Sequence, residues 1–135
     1  MKLDEKVRAA LVRGGVIDIT TIGRRTGRPR RLEIVFHNIG GRIYISGMPF
    51  ERRRSWLANL EAQPAFTFHL KGAVKADLPA RARIIEDDSE RRKVLAPIAT
   101  FWKRKDLDRM VRQSPLVEVL LDGAAGDPDA MGTST

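Results

Sequence analysis

The sequence predicts an antiparallel α+β domain closed towards a barrel, and three observations carry the prediction. Six short segments show the period-two alternation or β-branched enrichment of strands. Most of them succeed one another through turns of the hairpin kind, and helical spacing is confined to short segments, at the N-terminus and after the third and fifth strands. A doubly wound parallel fold needs regular alternation of strands and helices, which is missing, and the Gly-x-Gly-x-x-Gly spacing of a dinucleotide-binding turn is absent as well. With 135 residues the chain is long enough for one domain, expected over residues 1 to 121, and too short for two ordinary cores.

Leu3, Val7, Ala10 and Leu11 recur at helical spacing and Gly14-Gly15 supplies a stop, so residues 2 to 13 read as a short amphipathic helix that covers the strands after it. Residues 16 to 22 form a half-buried strand, with Ile17, Ile19 and Thr21 alternating against Asp18 and Thr20. Leu32, Ile34 and Phe36 alternate with Glu33, Val35 and His37 in a second strand that ends at the turn Asn38 to Gly41. Arg42 to Ser46 is a third, with Ile43 and Ile45 on one face and Tyr44 and Ser46 on the other.

Gly47-Met48-Pro49 breaks that strand. Trp56, Leu57 and Leu60 then place an apolar stripe on a helix from about Arg52 to Ala62, ended by Gln63-Pro64. Phe66, Phe68 and Leu70 mark a fourth strand, and the even-numbered residues from Val74 to Ile84 a fifth, with a bend expected at Pro79. The acidic cluster Asp87-Asp88-Ser89-Glu90 suits a helix start, and Val94, Leu95 and Ile98 give that helix its buried face, with a kink or early end expected at Pro97. Leu107, Met110 and Val111 fit a further helical turn or two, and Leu116 to Leu121 is a sixth strand. The stretch from Asp122 to Thr135, almost without bulky side chains, is expected to be a disordered tail.

Composition removes several function classes. There is no cysteine, hence no disulfide, thiolate metal site, iron–sulfur ligation or cysteine nucleophile. The two histidines, His37 and His69, are too few and too separated for a dedicated metal centre, so no metal is expected. Both fall on the polar faces of their strands and read as surface or interface groups. No apolar run approaches the roughly 20 residues of a membrane span, and the N-terminus lacks the pattern of an export signal, which leaves the cytoplasm as the expected location. A formal charge of +8 keeps polyanions among the candidate partners.

The chemistry concentrates between Thr20 and Arg31. Five of the eight residues from Arg24 to Arg31 are arginine, punctuated by Gly23, Gly27 and Pro29. A stiff cationic loop of this kind can hold guanidinium forks and backbone N–H groups around a phosphate or carboxylate, and we read it as the grip on the acidic part of a cofactor. A solvated basic hairpin tip is the alternative reading of the same residues. Arg52-Arg53-Arg54 adds a second cationic run at a helix start, which reads first as a solvated face, although an anion would relieve its unfavourable placement.

The order of two motifs, Thr-Thr-Ile-Gly-Arg-Arg-Thr-Gly-Arg-Pro-Arg from Thr20 and Ser-Trp-Leu-Ala-Asn-Leu-Glu-Ala-Gln-Pro from Ser55, with Ile45-Ser46-Gly47 between them, resembles the deazaflavin-dependent nitroreductase family. The resemblance covers roughly residues 16 to 86. It implies a split β-barrel of the FMN-binding, pyridoxamine-phosphate-oxidase-like kind and the cofactor coenzyme F420, with hydride transfer from F420H2 to a small organic acceptor: an activated double bond, a quinone or a nitroaromatic. It also implies that Arg25 and Arg30 meet the cofactor's phosphate and acidic tail, and that Ser46, Gly47 and Met48 lie against the deazaflavin ring. Ser55, Trp56 and Asn59 fall in the second motif, where an indole and an amide one turn apart can face the same site.

Residue-level alternatives stand beside these roles. Trp56 shares the apolar stripe of Leu60 and reads equally as a core anchor, and Asn59 as a partner of a neighbouring backbone group. Gly47 stands where family members commonly carry lysine, and Val35 where some carry tyrosine. Related split barrels bind FMN, FAD or heme, so these remain alternative cofactors, and a homodimer remains open because the family includes monomers. A nucleic-acid-binding barrel is the non-enzymatic rival; with 6% aromatic residues and no pair of exposed strand aromatics to stack bases, it has little support.

Overall fold

A computed structural model describes residues 3–121. Six strands, β1 (Gly15–Ile22), β2 (Pro29–Ile39), β3 (Arg42–Ser46), β4 (Ala65–Leu70), β5 (Ala76–Ile84) and β6 (Leu116–Leu121), close into a barrel in the order β1-β2-β3-β6-β5-β4. Every pairing is antiparallel, and β1 meets β4 to complete the ring. Four helices accompany it: α1 (Glu5–Arg13), α2 (Ser55–Ala62), α3 (Asp88–Phe101) and α4 (Leu107–Gln113). The expected tail from Asp122 lies outside the described residues.

Period-two alternation decides which side chains face inward. Ile17, Ile19, Phe36, Ile43, Ile45, Phe68, Val117 and Val119 fill the barrel, with Phe36 and Phe68 meeting edge to face at 5.2 Å. The strand directions put the ends of β1, β3 and β5 and the starts of β2, β4 and β6 at one end of the barrel. There α2 inserts Trp56, Leu57 and Leu60 into the core cluster, while α1 adds Val7, Ala10 and Leu11 from the opposite end, where it leads directly into β1. Helices α3 and α4 form a second layer over the outer side of β3 and β6, burying Tyr44, Ile85, Leu95, Ile98, Met110 and Leu116. Tyr44 thus lies outside the barrel while its neighbours Ile43 and Ile45 lie inside, as the alternation requires.

Several boundaries differ from the sequence expectation, each for a physical reason. Strand β2 begins at Pro29, so Arg30 and Arg31 are paired strand residues opposite Thr21 and Thr20, and the turn proper is confined to residues 23–28. Pairing across the hairpin outweighs the polar side chains, which are simply exposed. The same strand continues through Ile39, and the link to β3 shrinks to Gly40-Gly41 with φ of 61° and 88°, the positive pair that a two-residue hairpin turn needs. Helix α2 starts at Ser55, leaving the three arginines before it in extended or bent chain. Pro79 sits in β5 opposite Thr67, just before the pairing with β6 starts at Ala80, where its missing N–H removes no ladder bond to that strand. Helix α3 runs on through Pro97 to Phe101, with the proline on its exposed side, where water can take the carbonyl it leaves unbonded.

Candidate functional site

The arginine-rich turn is built from its backbone outward. Gly23 N donates to Arg28 O and Gly27 N to Gly23 O, both at 2.8 Å, and Gly27 takes φ 71°. Asn59, buried on α2, holds the turn in place: its Oδ1 accepts from Arg24 N at 3.1 Å and from Arg24 Nη1 at 2.9 Å, and its Nδ2 donates to Thr21 Oγ1 at 3.2 Å. Arg24 Nη1 also reaches Ser55 O at 3.4 Å. Arg24 therefore fastens the turn to the first turn of α2. The guanidiniums of Arg25, Arg28 and Arg30 are exposed and have no hydrogen-bond or ion-pair partner among the described residues. Arg31 is different, since its Nε donates to Asp18 Oδ2 at 2.9 Å.

The first turn of α2 has no side-chain cap. Arg54 caps the helix with extended backbone and no side-chain bond to the first N–H groups. Its guanidinium instead donates from Nη2 to Met48 O at 3.0 Å and lies 5.4 Å from the centre of the Phe50 ring, while its buried Nε has no partner. A cleft of about 580 Å³ opens on the other side of α2, lined among others by Arg52, Arg54, Leu57, Ile85, Arg91 and Ser114.

Of the sequence-predicted site residues, none lines this cleft, and they separate into three groups. Arg25 and Arg30 stand free at the turn. Ser46, Gly47 and Met48 lie behind the cleft wall: Ser46 Oγ donates to Pro115 O at 2.7 Å, and a Cβ on Gly47 would sit 3.2 Å from Pro115 Cγ and 3.5 Å from Arg54 Nε. Position 47 therefore lies where the entry to the last strand packs closely. Met48 is partly exposed. Trp56 is buried in the barrel core, Asn59 is the anchor already described, and Ser55 contributes its carbonyl to Arg24.

The histidines require a correction, because both are buried: His37 is 8% and His69 7% exposed. The outer face of the sheet is polar by pattern, but neighbours cover it. The rings of Phe101 and Trp102 stand edge-on to His37 at 5.6 and 5.1 Å, its Nε2 has no partner, and burial pulls its pKa below the ordinary value. His69 bridges Thr20 Oγ1 and Asp77 Oδ1, each at 2.7 Å, linking three adjacent strands. Beside it Asp18 meets Lys71 and Arg31, and these two bonds hold its carboxyl below the usual range.

Arg91 escaped the sequence reading. It is buried, and its guanidinium donates to four carbonyls: Ile85 O and Val111 O at 2.8 Å, Met110 O at 3.3 Å and Ser114 O at 2.5 Å. It satisfies the end of α4 and ties it to the chain leaving β5. Its spacing from Val94, Leu95 and Ile98 places it on the apolar stripe of α3, a pattern that could have revealed it. Arg83 makes a parallel tie on the surface, joining Glu90 of α3 to Glu118 of β6.

The architecture is that of the split β-barrel. An F420 reductase superposes with TM-score 0.63 at 15% identity over 88% of this chain and 95% of the other. A FAD-binding protein from Mesorhizobium loti gives 0.58 at 13% identity over 89% and 91%, and the heme storage protein HutZ from Vibrio cholerae 0.61 at 17% over 90% and 92%. At such identities these likenesses establish the fold. The family itself is fixed by the sequence, since the model of the F420H(2)-dependent quinone reductases matches residues 2–124. With both motifs inside that span and the barrel they imply in place, the chain belongs to the F420H(2)-dependent quinone reductase family of F420-dependent enzymes.

Proposed function

We propose that this enzyme passes a hydride from F420H2 to a quinone or a comparable planar acceptor, in the cytoplasm, and that it grips the acidic part of the cofactor at the arginine-rich end of the barrel. The observation that carries the reading is the set of exposed, unpartnered guanidiniums of Arg25, Arg28 and Arg30 beside the uncapped first turn of α2. Planar forks match phosphate and carboxylate groups bidentately, and the free N–H groups of a helix start add to the same field. The donor set therefore fits a phosphodiester with an acidic tail.

The contacts divide the labour. Arg24 and Asn59 fix the turn so that Arg25 and Arg30 meet the anion with little ordering left to do. The hydroxyl of Ser46 is engaged by Pro115, so ring contacts at the end of β3 fall to the main chain of Gly47 and Met48. Trp56 holds α2 in the barrel mouth and acts through that placement. The bound cofactor supplies the hydride; the protein binds, orients and shields. The cleft beside α2 is of the size that small organic ligands occupy.

A titration with F420, run beside FMN, FAD and heme at low and moderate salt, tests the reading. Selective F420 binding that weakens with salt and in Arg25→Ala and Arg30→Ala is expected. Absence of F420 binding, or binding by both variants as tight as that of the wild type, would overturn it.

A further inference from the structure

We propose that the face formed by residues 48–54 and the turn between α3 and α4 docks on an anionic lipid surface. Met48, Phe50 and Phe101 are 41%, 51% and 69% exposed. The two segments lie side by side, because Arg104 Nη1 sits 2.8 Å from Met48 Sδ. Cations surround the apolar side chains. Residues 48–54 hold three arginines against one carboxylate, Glu51, and residues 101–106 hold Lys103, Arg104 and Lys105 against Asp106. Asp106 is already paired with Arg104 and Arg53 with Glu61, whereas the side-chain cations of Arg52, Lys103 and Lys105 are exposed and without partners among the described residues. Lys103 takes φ 57°, a backbone position that L side chains adopt only in tight turns, so the basic turn is a sharp one.

Apolar side chains that protrude among unpaired cations are the composition of an interfacial binding face: the rings and thioether enter the headgroup boundary while the cations meet lipid phosphates. A nucleic acid would use the cations as well, but it gives the methionine and Phe101 no role, and the Phe50 ring already carries the Arg54 guanidinium on its face. The cleft wall includes Phe50 and Arg52, so docking brings its mouth to the bilayer, where a lipophilic acceptor dissolves. That consequence rests on the reductase reading; the docking does not.

Sedimentation with vesicles of phosphatidylcholine, alone or mixed equally with phosphatidylglycerol, provides the test. The wild type is expected to co-sediment with the mixed vesicles only. Phe50→Ser and the pair Lys103→Glu/Lys105→Glu should each lower partitioning, the pair by about tenfold or more. The same change of charge at the opposite end of the barrel, Arg13→Glu/Lys75→Glu, should alter it by no more than about twofold. Unchanged thermal unfolding and, for Lys103→Glu/Lys105→Glu, unchanged F420 affinity show that the effect belongs to the surface. A wild type left in the supernatant, an unaffected Phe50→Ser, or an equal loss in Arg13→Glu/Lys75→Glu would overturn the proposal, as would oligonucleotide binding that displaces the vesicles and survives physiological salt. F420 binding is measured separately, so its failure would defeat the assigned reaction and leave the vesicle result standing.

Discussion

One buried arginine and a cluster of exposed ones put the same functional group to opposite uses in this molecule. Arg91 of α3 is buried against α4, and its guanidinium donates to four main-chain carbonyls. The arginines of the β1–β2 hairpin are exposed, and the guanidiniums of Arg25, Arg28 and Arg30 donate to no described residue. The difference lies in what surrounds each. Burial strips water from Arg91, which draws its pKa below the ordinary value and makes every carbonyl contact necessary. At the turn, water satisfies the donors until a stronger acceptor arrives. One cation holds the fold together, and the others are held ready by it.

Stability should separate the two first. Replacing Arg91 by Met keeps the apolar stem but leaves four carbonyls without their donor, and a loss of about 3 kcal/mol or more is expected in urea unfolding. A variant with an unchanged midpoint would show that the clamp is dispensable. Asn59 sits between the two regions, buried like one and bonded to the other. Asn59→Ala should cost about 1–3 kcal/mol through the unpaired Thr21 and Arg24 groups, and it should weaken F420 binding as the turn loosens. Finding only one of these effects would uncouple anchor from turn.

At the turn itself the ranking reverses. Arg25→Ala and Arg30→Ala should each weaken F420 binding by roughly tenfold, the worth of a charge-assisted contact, while unfolding shifts by less than about 0.5 kcal/mol. Equilibrium titration and denaturation of the same preparations check both halves. The smallest effect expected is a pH dependence from His37. Its folded pKa lies below 6.5, so the unfolded chain binds the extra proton first as pH falls. The stability it contributes is complete above that value and diminishes below it. His37→Gln should flatten the unfolding profile in that window; an unaltered slope would place the dependence elsewhere.

How much of this was legible in the letters depends on which interactions act locally. Alternation along β1, β3 and β4 marked inner and outer faces, because a strand's side chains point to opposite sides whatever lies beyond them. The turn, with its glycines and crowded arginines, was visible for the same reason, and with the motif from Ser55 it was specific enough to indicate the family. Arg30 was legible as a cation and misplaced as a loop residue, since hairpin register extends pairing past the last apolar side chain. Both histidines read as surface groups because polar strand faces are normally wet; only the packing of Phe101 and Trp102 on one, and the bridge from Thr20 to Asp77 on the other, removes the water.

By itself, then, the chain's order of residues determined the strands, the cationic turn and the family they mark, all of which depend on neighbours within a few positions. Tertiary structure decided that Ser46 is engaged by Pro115, that Asn59 is the anchor of the turn and that Arg91 is a clamp. The bonds from Ser46 to Pro115, from Asn59 to Arg24 and from Arg91 to Val111 join groups 20 to 69 positions apart in sequence. No local pattern encodes such a pairing. It exists only once the barrel closes and burial takes water away from these polar atoms.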